Sequence, residues 1–379
     1  MITRFHFPTE IVFGEGAIQE SAKECSVIGV SRPLLVTDQG IVGAGLADKV
    51  IKVFKSAGLL TKIFDQVSPN PTGAQVDEGA RVYKEEGADC IVALGGGSPM
   101  DAAKGIRLRI EHLDPLETYD DLKGGDAKIT GSLPPMIAIP TTAGTGSEVS
   151  RSAVITVEAV ARKVVIFSPR LMPDVAICDP ELTYGLPPRL TAETGMDAMS
   201  HSIEAFMAKG YNPMADSIAL KGIFMISQNL VTAVQDGGNV EARRELMMAS
   251  TMGATAFQKG LGAVHSLAHP LSTVCNVSHG LANSILLPHI LRFNAEAVPK
   301  KAEELANALG LENSGGNDAA EFIEALAGKC GLPGKLSQAG VDEKSILELA
   351  AKAMEDGCHL SNPRPCSEDT MKSLLEAAM

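Results

Sequence analysis

Asp197 and His201 stand four residues apart in Gly195-Met196-Asp197-Ala198-Met199-Ser200-His201, and His265 and His269 repeat that spacing. On a helix each pair shares one face. His279 follows in Ser278-His279-Gly280, so four of the eight histidines fall between positions 201 and 279. A carboxylate and several imidazoles converging on one point would make a first-row metal site, because divalent iron and zinc both accept hard oxygen together with neutral nitrogen. Taken singly, each histidine reads as an ordinary core or surface residue. The set gains weight from a second feature upstream.

That feature is a pair of loops suited to an anion. The apolar run Cys90-Ile91-Val92-Ala93-Leu94 leads into Gly95-Gly96-Gly97-Ser98-Pro99, and Met100 to Ile110 has helical character. Glycines let the backbone approach a ligand and adopt positive φ. Ser98 can cap the helix, with Pro99 at its first position, where no amide hydrogen is needed. Amides at such a helix start would receive a pyrophosphate. A second run, Met136 to Ile139, feeds Pro140-Thr141-Thr142-Ala143-Gly144-Thr145-Gly146-Ser147, with four hydroxyls and two glycines. The spacing is not GxGxxG, so the ordinary dinucleotide fingerprint is absent.

The elements that must position these groups change character along the chain. Short apolar runs at Pro33 to Thr37, Leu60 to Phe64, Cys90 to Leu94, Met136 to Ile139 and Val175 to Cys178 alternate with amphipathic stretches such as Gly45 to Ala57 and Thr72 to Glu86. Strands of that kind imply a parallel sheet covered on both faces, with ligands at the carboxyl ends of the strands. From about Leu182 only helical periodicity remains, with Met199, Ile203 and Phe206 forming the apolar stripe of the helix bearing Asp197 and His201. The expected organisation is an α/β domain at 1–180 and an all-α domain at 181–379, with cofactor and metal meeting in a cleft between them.

The 379-residue length suits two domains. Hydrophobic residues at 45% and charged residues at 21% fit a globular protein, and no apolar run approaches the ~20 residues of a bilayer span. The net charge of −13, without a Lys/Arg cluster, argues against a nucleic-acid partner. Seven scattered cysteines with no CxxC pair, and a start at Met1 to Pro8 lacking the regions of a secretory signal, point to a reducing, cytoplasmic setting.

With these motifs in place, the chain resembles the iron-containing (group III) alcohol dehydrogenases. The resemblance runs from Phe13-Gly14 through Leu35-Val36-Thr37-Asp38, Pro69-Asn70-Pro71, GGGSP, the Pro140 to Thr145 loop, Thr194 to Ala198, Gly260 to His265, His269-Pro270 and His279-Gly280 to Asn362-Pro363-Arg364. It implies a Rossmann-like parallel sheet followed by a helical domain, the architecture shared with dehydroquinate synthase. It also implies that Asp197, His201, His265 and His279 hold Fe²⁺ (Zn²⁺ being chemically acceptable), while His269 lies near the nicotinamide without binding the metal. Gly95, Gly96, Gly97, Ser98 and Asp101 would serve the pyrophosphate side of the cofactor, and Thr141, Thr142 and Thr145 the remainder. A homodimer joined through the N-terminal segment is implied as well.

The expected reaction is hydride transfer between NAD(H) and a short primary alcohol or its aldehyde, with His269 as proton relay. Asp38, at the end of the Pro33 to Thr37 run, could accept from a ribose 2′-hydroxyl and repel a 2′-phosphate, favouring NAD over NADP. It could instead merely begin a turn. Lys259 and Arg151, close in sequence to these motifs, motivate an acidic semialdehyde or hydroxy acid as the alternative substrate. A dehydroquinate synthase-like lyase is the alternative of another class, though it would need more basic residues around its phosphate-bearing substrate.

Overall fold

The computed structural model describes residues 5–7, 9–160 and 162–379. Residues 1–4, where the N-terminal segment expected to carry a dimer contact begins, lie outside the described set. Two compact units emerge, one of Phe7–Thr142 and Gly146–Gly185, the other chiefly of Leu186–Met379 with the short piece Ala143–Thr145.

The first unit carries strands β1 (Glu10–Phe13), β2 (Pro33–Val36), β3 (Lys62–Phe64), β4 (Cys90–Gly95), β5 (Met136–Pro140), β6 (Ser152–Val157), β7 (Arg162–Phe167) and β8 (Val175–Cys178). Its helices are α1 (Ser21–Val27), α2 (Gln39–Gly43), α3 (Leu46–Ser56), α4 (Gly73–Glu85) and α5 (Gly97–Glu111). Six strands form one sheet in the order β1-β8-β5-β4-β2-β3, every neighbouring pair parallel. Successive strand residues feed opposite cores. Leu34, Val36, Ile91 and Ala93 pack with Val76, Ala80 and Ile106 of α4 and α5, whereas Leu35, Val92, Leu94 and Ile137 pack with Cys25, Val50 and Phe54 of α1 and α3. Both faces are therefore dry, which is why these strands read as unbroken apolar runs.

Chain order reverses between β2 and β4, where β3 lies outside β2 and β5 lies beyond β4. In such sheets ligands sit at this switch, outside the carboxyl ends of the strands. Asp38, the Gly95–Gly97 turn and Thr141 all follow strands at or beside it. Strands β6 and β7 form a separate antiparallel hairpin packed on α5.

The second unit is helical: α6 (Pro188–Met207), α7 (Pro213–Gln235), α8 (Val240–Ala256), α9 (Ala263–Val274), α10 (His279–Ala295), α11 (Pro299–Ala308), α12 (Gly316–Lys329), α13 (Ile346–Glu355) and α14 (Glu368–Ala378). Helix α7 is long and apolar enough to cross a membrane by length and composition, contrary to the reading of the apolar runs. Its Ala219, Ile223, Ile226 and Leu230 are buried and it packs against α6 and α8, as a core helix does. Helix α6 is the spine of the unit. Its residues from Gly195 to Met207 are all buried, Asp197, His201 and Glu204 among them.

Candidate metal centre and active site

Helix α6 presents Asp197, His201 and Glu204 along one side, α9 presents His265 and His269 one turn apart, and α10 begins at His279. The ligand atoms of Asp197, His265 and His279 lie within 4.8 Å of one another. Asp197 Oδ1 is 3.4 Å from His279 Nε2, 3.7 Å from His265 Nε2 and 3.8 Å from His201 Nε2. The ring of His201 stacks on His265 with centroids 4.7 Å apart. All four residues thus meet at one place. His269 stands beside them, stacked on His279 at 5.4 Å, and its nearest carboxylate is Asp356 rather than Asp197.

His265 and His201 are each aimed by a second group. Glu204 Oε2 takes the Nδ1 hydrogen of His265 at 2.5 Å, turning Nε2 toward Asp197. The other Glu204 oxygen accepts from Val264 N at 2.7 Å, so the same carboxylate closes the first turn of α9. His201 Nδ1 pairs with the Gly144 carbonyl at 3.3 Å. Asn362 Oδ1 accepts from Ala263 N and from Asn294 Nδ2, tying the Asn362-Pro363-Arg364 motif to the start of α9.

The donor chemistry fits a divalent cation. Asn283 directs its amide Nδ2 at Asp197 Oδ1 (2.7 Å), His279 Nε2 (3.2 Å) and His265 Nε2 (3.5 Å). A positively polarised N–H group therefore faces the point on which these lone pairs converge, while Asn283 Oδ1 is buried with no hydrogen-bond partner. Burial alone would raise the Asp197 carboxyl, but the imidazoles of His201, His279 and His265 overcome it and hold the group ionised well below the usual carboxylate range. Burial pulls His201 down to about 4 despite Asp197. For His265 burial also lowers, but Asp197 and Glu204 prevail and push it up to about 9. His279, a third exposed, is the side of the set that solvent can reach.

His269 has a different setting. Its Nδ1 donates to Asp356 Oδ2 at 2.7 Å, and Asp356 Oδ1 accepts from Ser266 Oγ (3.0 Å) and Cys358 N (2.8 Å). Burial would raise the Asp356 carboxyl, yet the His269 imidazole beside it and the hydrogen bonds from His269 and Cys358 keep it far below the ordinary range. The arrangement is an imidazole with a fixed tautomer and a carboxylate behind it, able to pass a proton at Nε2.

In the first unit Gly95 has φ +148°, and a β-carbon there would lie 2.5 Å from Pro99 Cγ, so only glycine closes this turn. Helix α5 begins at Gly97 after an N-cap at Gly96. Ser98 is not the cap expected from the sequence; its hydroxyl donates to the Pro69 carbonyl at 2.5 Å, leaving the first-turn amides to be satisfied by something else. Thr141 Oγ1 is buried without a partner, and Thr142 packs where a Gly96 β-carbon would stand. These features suit a bound nucleotide. Asp101 behaves otherwise: its oxygens accept from Ser147 Oγ and Val154 N, so it braces the β6–β7 hairpin. Asp38 caps α2 through Ile41 N at 2.9 Å, which makes it a turn former as well as a group at the switch. Thr145 belongs with the helical unit rather than with Thr141 and Thr142.

The two basic residues offered for an acidic substrate are engaged elsewhere. The Lys259 side chain is 2% exposed, paired with Asp216 and donating to the Phe206 carbonyl at 2.9 Å. Arg151 lies over the Phe167 ring, 4.9 Å from its centre. Sequence reasoning missed Glu204, Asn283 and Asp356. Glu204 and Asn283 carried a signal, since they continue the helical faces of Asp197 with His201 and of His279. Asp356 carried none, standing 87 positions from His269.

Comparison with known proteins gives two family matches. Residues 8–180 match the profile described as iron-containing alcohol dehydrogenase, and residues 191–379 that of the C-terminal part of the Fe-containing alcohol dehydrogenase family. The chain is 43% identical to a 4-hydroxybutyrate dehydrogenase of Cupriavidus necator, with 99% of each chain covered. It resembles a crystal structure of 1,3-propanediol oxidoreductase at a TM-score of 0.96, with 38% identity and full coverage of both chains. A sulfoacetaldehyde reductase of Bifidobacterium kashiwanohense in complex with NAD⁺ superimposes at a TM-score of 0.89, with 30% identity, covering 100% of this chain and 99% of that one.

Proposed function

The chain belongs to the iron-containing alcohol dehydrogenase family, and we propose that within it the protein is an iron- and NAD-dependent oxidoreductase of short unbranched primary alcohols and their aldehydes. Both matched profiles are those of alcohol dehydrogenases, which sets the lyase alternative aside. The observation that carries the reading is the convergence of Asp197, His201, His265 and His279 beside a separately anchored His269. Three imidazoles and a carboxylate without sulfur suit ferrous iron, with zinc chemically acceptable. A divalent ion held there would supply Lewis acidity toward an alcohol or carbonyl oxygen, and the nicotinamide would supply the hydride chemistry.

The chain's own residues do the rest. Glu204 and the Gly144 carbonyl hold His265 and His201 in the required orientation. His269 takes the alcohol proton at Nε2 or returns it in the aldehyde direction, and Asp356 steadies the imidazolium that forms. The amides opening α5 and the unpartnered Thr141 hydroxyl hold the nucleotide, with Asp38 favouring a free 2′-hydroxyl. A cytoplasmic homodimer is the setting consistent with the cysteine usage and the family.

A neutral substrate is favoured because Lys259 and Arg151 are committed to Asp216 and Phe167. The second reading, a hydroxy acid or semialdehyde, is favoured by the 43% identity to a 4-hydroxybutyrate dehydrogenase. The test is reduced-nicotinamide absorbance with iron-loaded protein, NAD or NADP, and 1-propanol, 1,3-propanediol and 4-hydroxybutyrate. Expected is the highest kcat/KM with NAD and a neutral alcohol. A higher value for 4-hydroxybutyrate replaces the first reading with the second, and preference for NADP removes the argument from Asp38.

A further inference from the structure

Beside the sulfur-free set lies a second group of donors with different chemistry. One ligand atom each of His269, Asp356 and Cys358 lies within 4.8 Å of the other two. The Cys358 amide donates to Asp356 Oδ1 at 2.8 Å, and its thiol hydrogen-bonds the same carboxylate. We propose that His269, Asp356 and Cys358 form a second site, inhibitory in effect, for a thiophilic divalent cation, zinc foremost.

Three observations support this site. Its donors are an imidazole nitrogen, a carboxylate oxygen and a sulfur, the combination that thiophilic ions select, whereas Asp197, His201, His265 and His279 offer only nitrogen and oxygen. The side chains of His269 and Asp356 are 24% and 15% exposed, so an ion can reach them from solvent while keeping a fourth position for water. The group is also held from behind, since Ser266 Oγ donates to Asp356 Oδ1 and accepts from His359 N at 2.8 Å. Tetrahedral zinc at its usual bond lengths sets its ligands roughly 3.3–3.7 Å apart. The His269–Asp356 pair at 2.7 Å must therefore open by less than about 1 Å, within reach of a side-chain torsion.

Binding exchanges a proton for metal. The Cys358 thiol hydrogen is released and the Nδ1 hydrogen of His269 moves to Nε2, so that one proton leaves per ion and the bound site is neutral overall. The ion then occupies the nitrogen through which Asp356 supports His269, so the proton path is lost. This inhibition rests on the relay role proposed for His269; the binding does not.

The experiment uses the iron-loaded enzyme without air. Zinc chloride is added, and bound iron and zinc are counted per chain while turnover is followed. Cobalt(II) in place of zinc reports a sulfur ligand through thiolate-to-metal charge transfer in the near ultraviolet. Expected is one zinc taken up with iron retained, turnover falling in step, and a cobalt–thiolate band. Cys358→Ser abolishes the band and weakens zinc binding and inhibition alike by at least tenfold. Protection of Cys358 from alkylation by bound zinc, mapped by mass spectrometry on the unaltered protein, gives the same answer should the variant fold poorly. Zinc uptake matched one-for-one by iron release, or binding and alkylation indifferent to Cys358, overturns the proposal. Cysteine-dependent binding that leaves turnover unchanged upholds the site and overturns its inhibitory role, and with it the relay assigned to His269.

Discussion

His265 and His269 occupy equivalent positions on successive turns of α9, yet a different carboxylate meets each. Glu204 reaches Nδ1 of His265 from the buried side, and Asp356 reaches Nδ1 of His269 from the more exposed side. The partner therefore decides which imidazole joins Asp197 and which is left for the proposed proton transfer. Two substitutions separate these parts. Glu204→Gln leaves His265 without its carboxylate and should weaken iron binding by about 10–100-fold, measured as the chelator concentration needed to remove half the metal. Asp356→Asn should retain iron, change KM by less than about threefold and lower kcat by about 10–100-fold. Combined with His269→Ala, Asp356→Asn should add little further loss, because the two residues act as one unit. Iron loss from the Asp356 variant equal to that from the Glu204 variant would place His269 among the ligands.

Among elements, the approach of α10 to α6 fixes where His279 stands. A β-carbon on Gly280 would fall 2.2 Å from the Glu193 carbonyl oxygen and 2.6 Å from its carbon, backbone atoms that cannot rotate aside. Asp197 lies one turn farther along α6, so this close approach sets the 3.4 Å between His279 and Asp197. Gly280→Ala should cost about 1–3 kcal/mol in unfolding free energy and lower iron content, although it alters no donor atom. Normal stability with full iron occupancy would show that α10 can shift freely. Here the limits of sequence reading are physical. The doubly buried strands β2, β4, β5 and β8 stand out as apolar runs, and Asp197, His201, His265 and His279 as helical spacings. Strand β1 is an edge of four residues, and the hairpin β6–β7 interrupts the β–α alternation, so both escaped notice. The proposed metal donors lie on helices, where spacing betrays a shared face. Asp356 reaches His269 from a distant turn that only the folded chain brings near.

Helix α5 illustrates a cost hidden in the sequence. Lys104 is fully buried, donating to Ser147 Oγ at 2.8 Å and to the Ser152 carbonyl at 2.9 Å. Burial lowers it to about 8, against the raising influence of Asp101 and Glu148. The folded protein thus gives up this proton at about pH 8 and the unfolded chain at about 10.5. Between those values the unfolded chain holds more protons, so stability from this group rises with pH by roughly 3 kcal/mol in all; below about pH 8 both forms are charged and the burial penalty is full. The thiols of Cys25 and Cys330, pushed up by burial to about 12 and about 11, act in the opposite sense. The difference between unaltered protein and Lys104→Met isolates the lysine. From pH 7.5 to 10 the variant should lose more stability in denaturant titrations, and parallel curves would mean that Lys104 keeps an ordinary pKa.

At the scale of the whole molecule, all four proposed metal ligands lie in the helical unit and the glycine turn lies in the other. The buried ionised carboxylate of Asp197 stands 3.4–3.8 Å from three imidazole nitrogens, with the Asn283 amide directed at it as well. An ion that binds only the folded chain stabilises it by RT ln(1 + [L]/Kd), about 2.7 kcal/mol at a hundredfold excess over Kd. Removing iron should therefore lower the melting temperature and restoring it should raise it, with the shift growing as free iron increases. The effect should also be local. Hydrogen exchange should slow on adding iron at the amides of α6, α9 and the first turn of α10, where the proposed ligands are anchored. NAD⁺ should instead protect the amides from Gly96 to Met100, Pro99 excepted because it has none, and those near Asp38, whose capping of α2 the nucleotide would share. A melting temperature indifferent to iron would remove the metal from the stability of this protein. Iron-dependent protection at Gly96 to Met100 that leaves α6, α9 and α10 unchanged would assign the metal to other residues than Asp197, His201, His265 and His279.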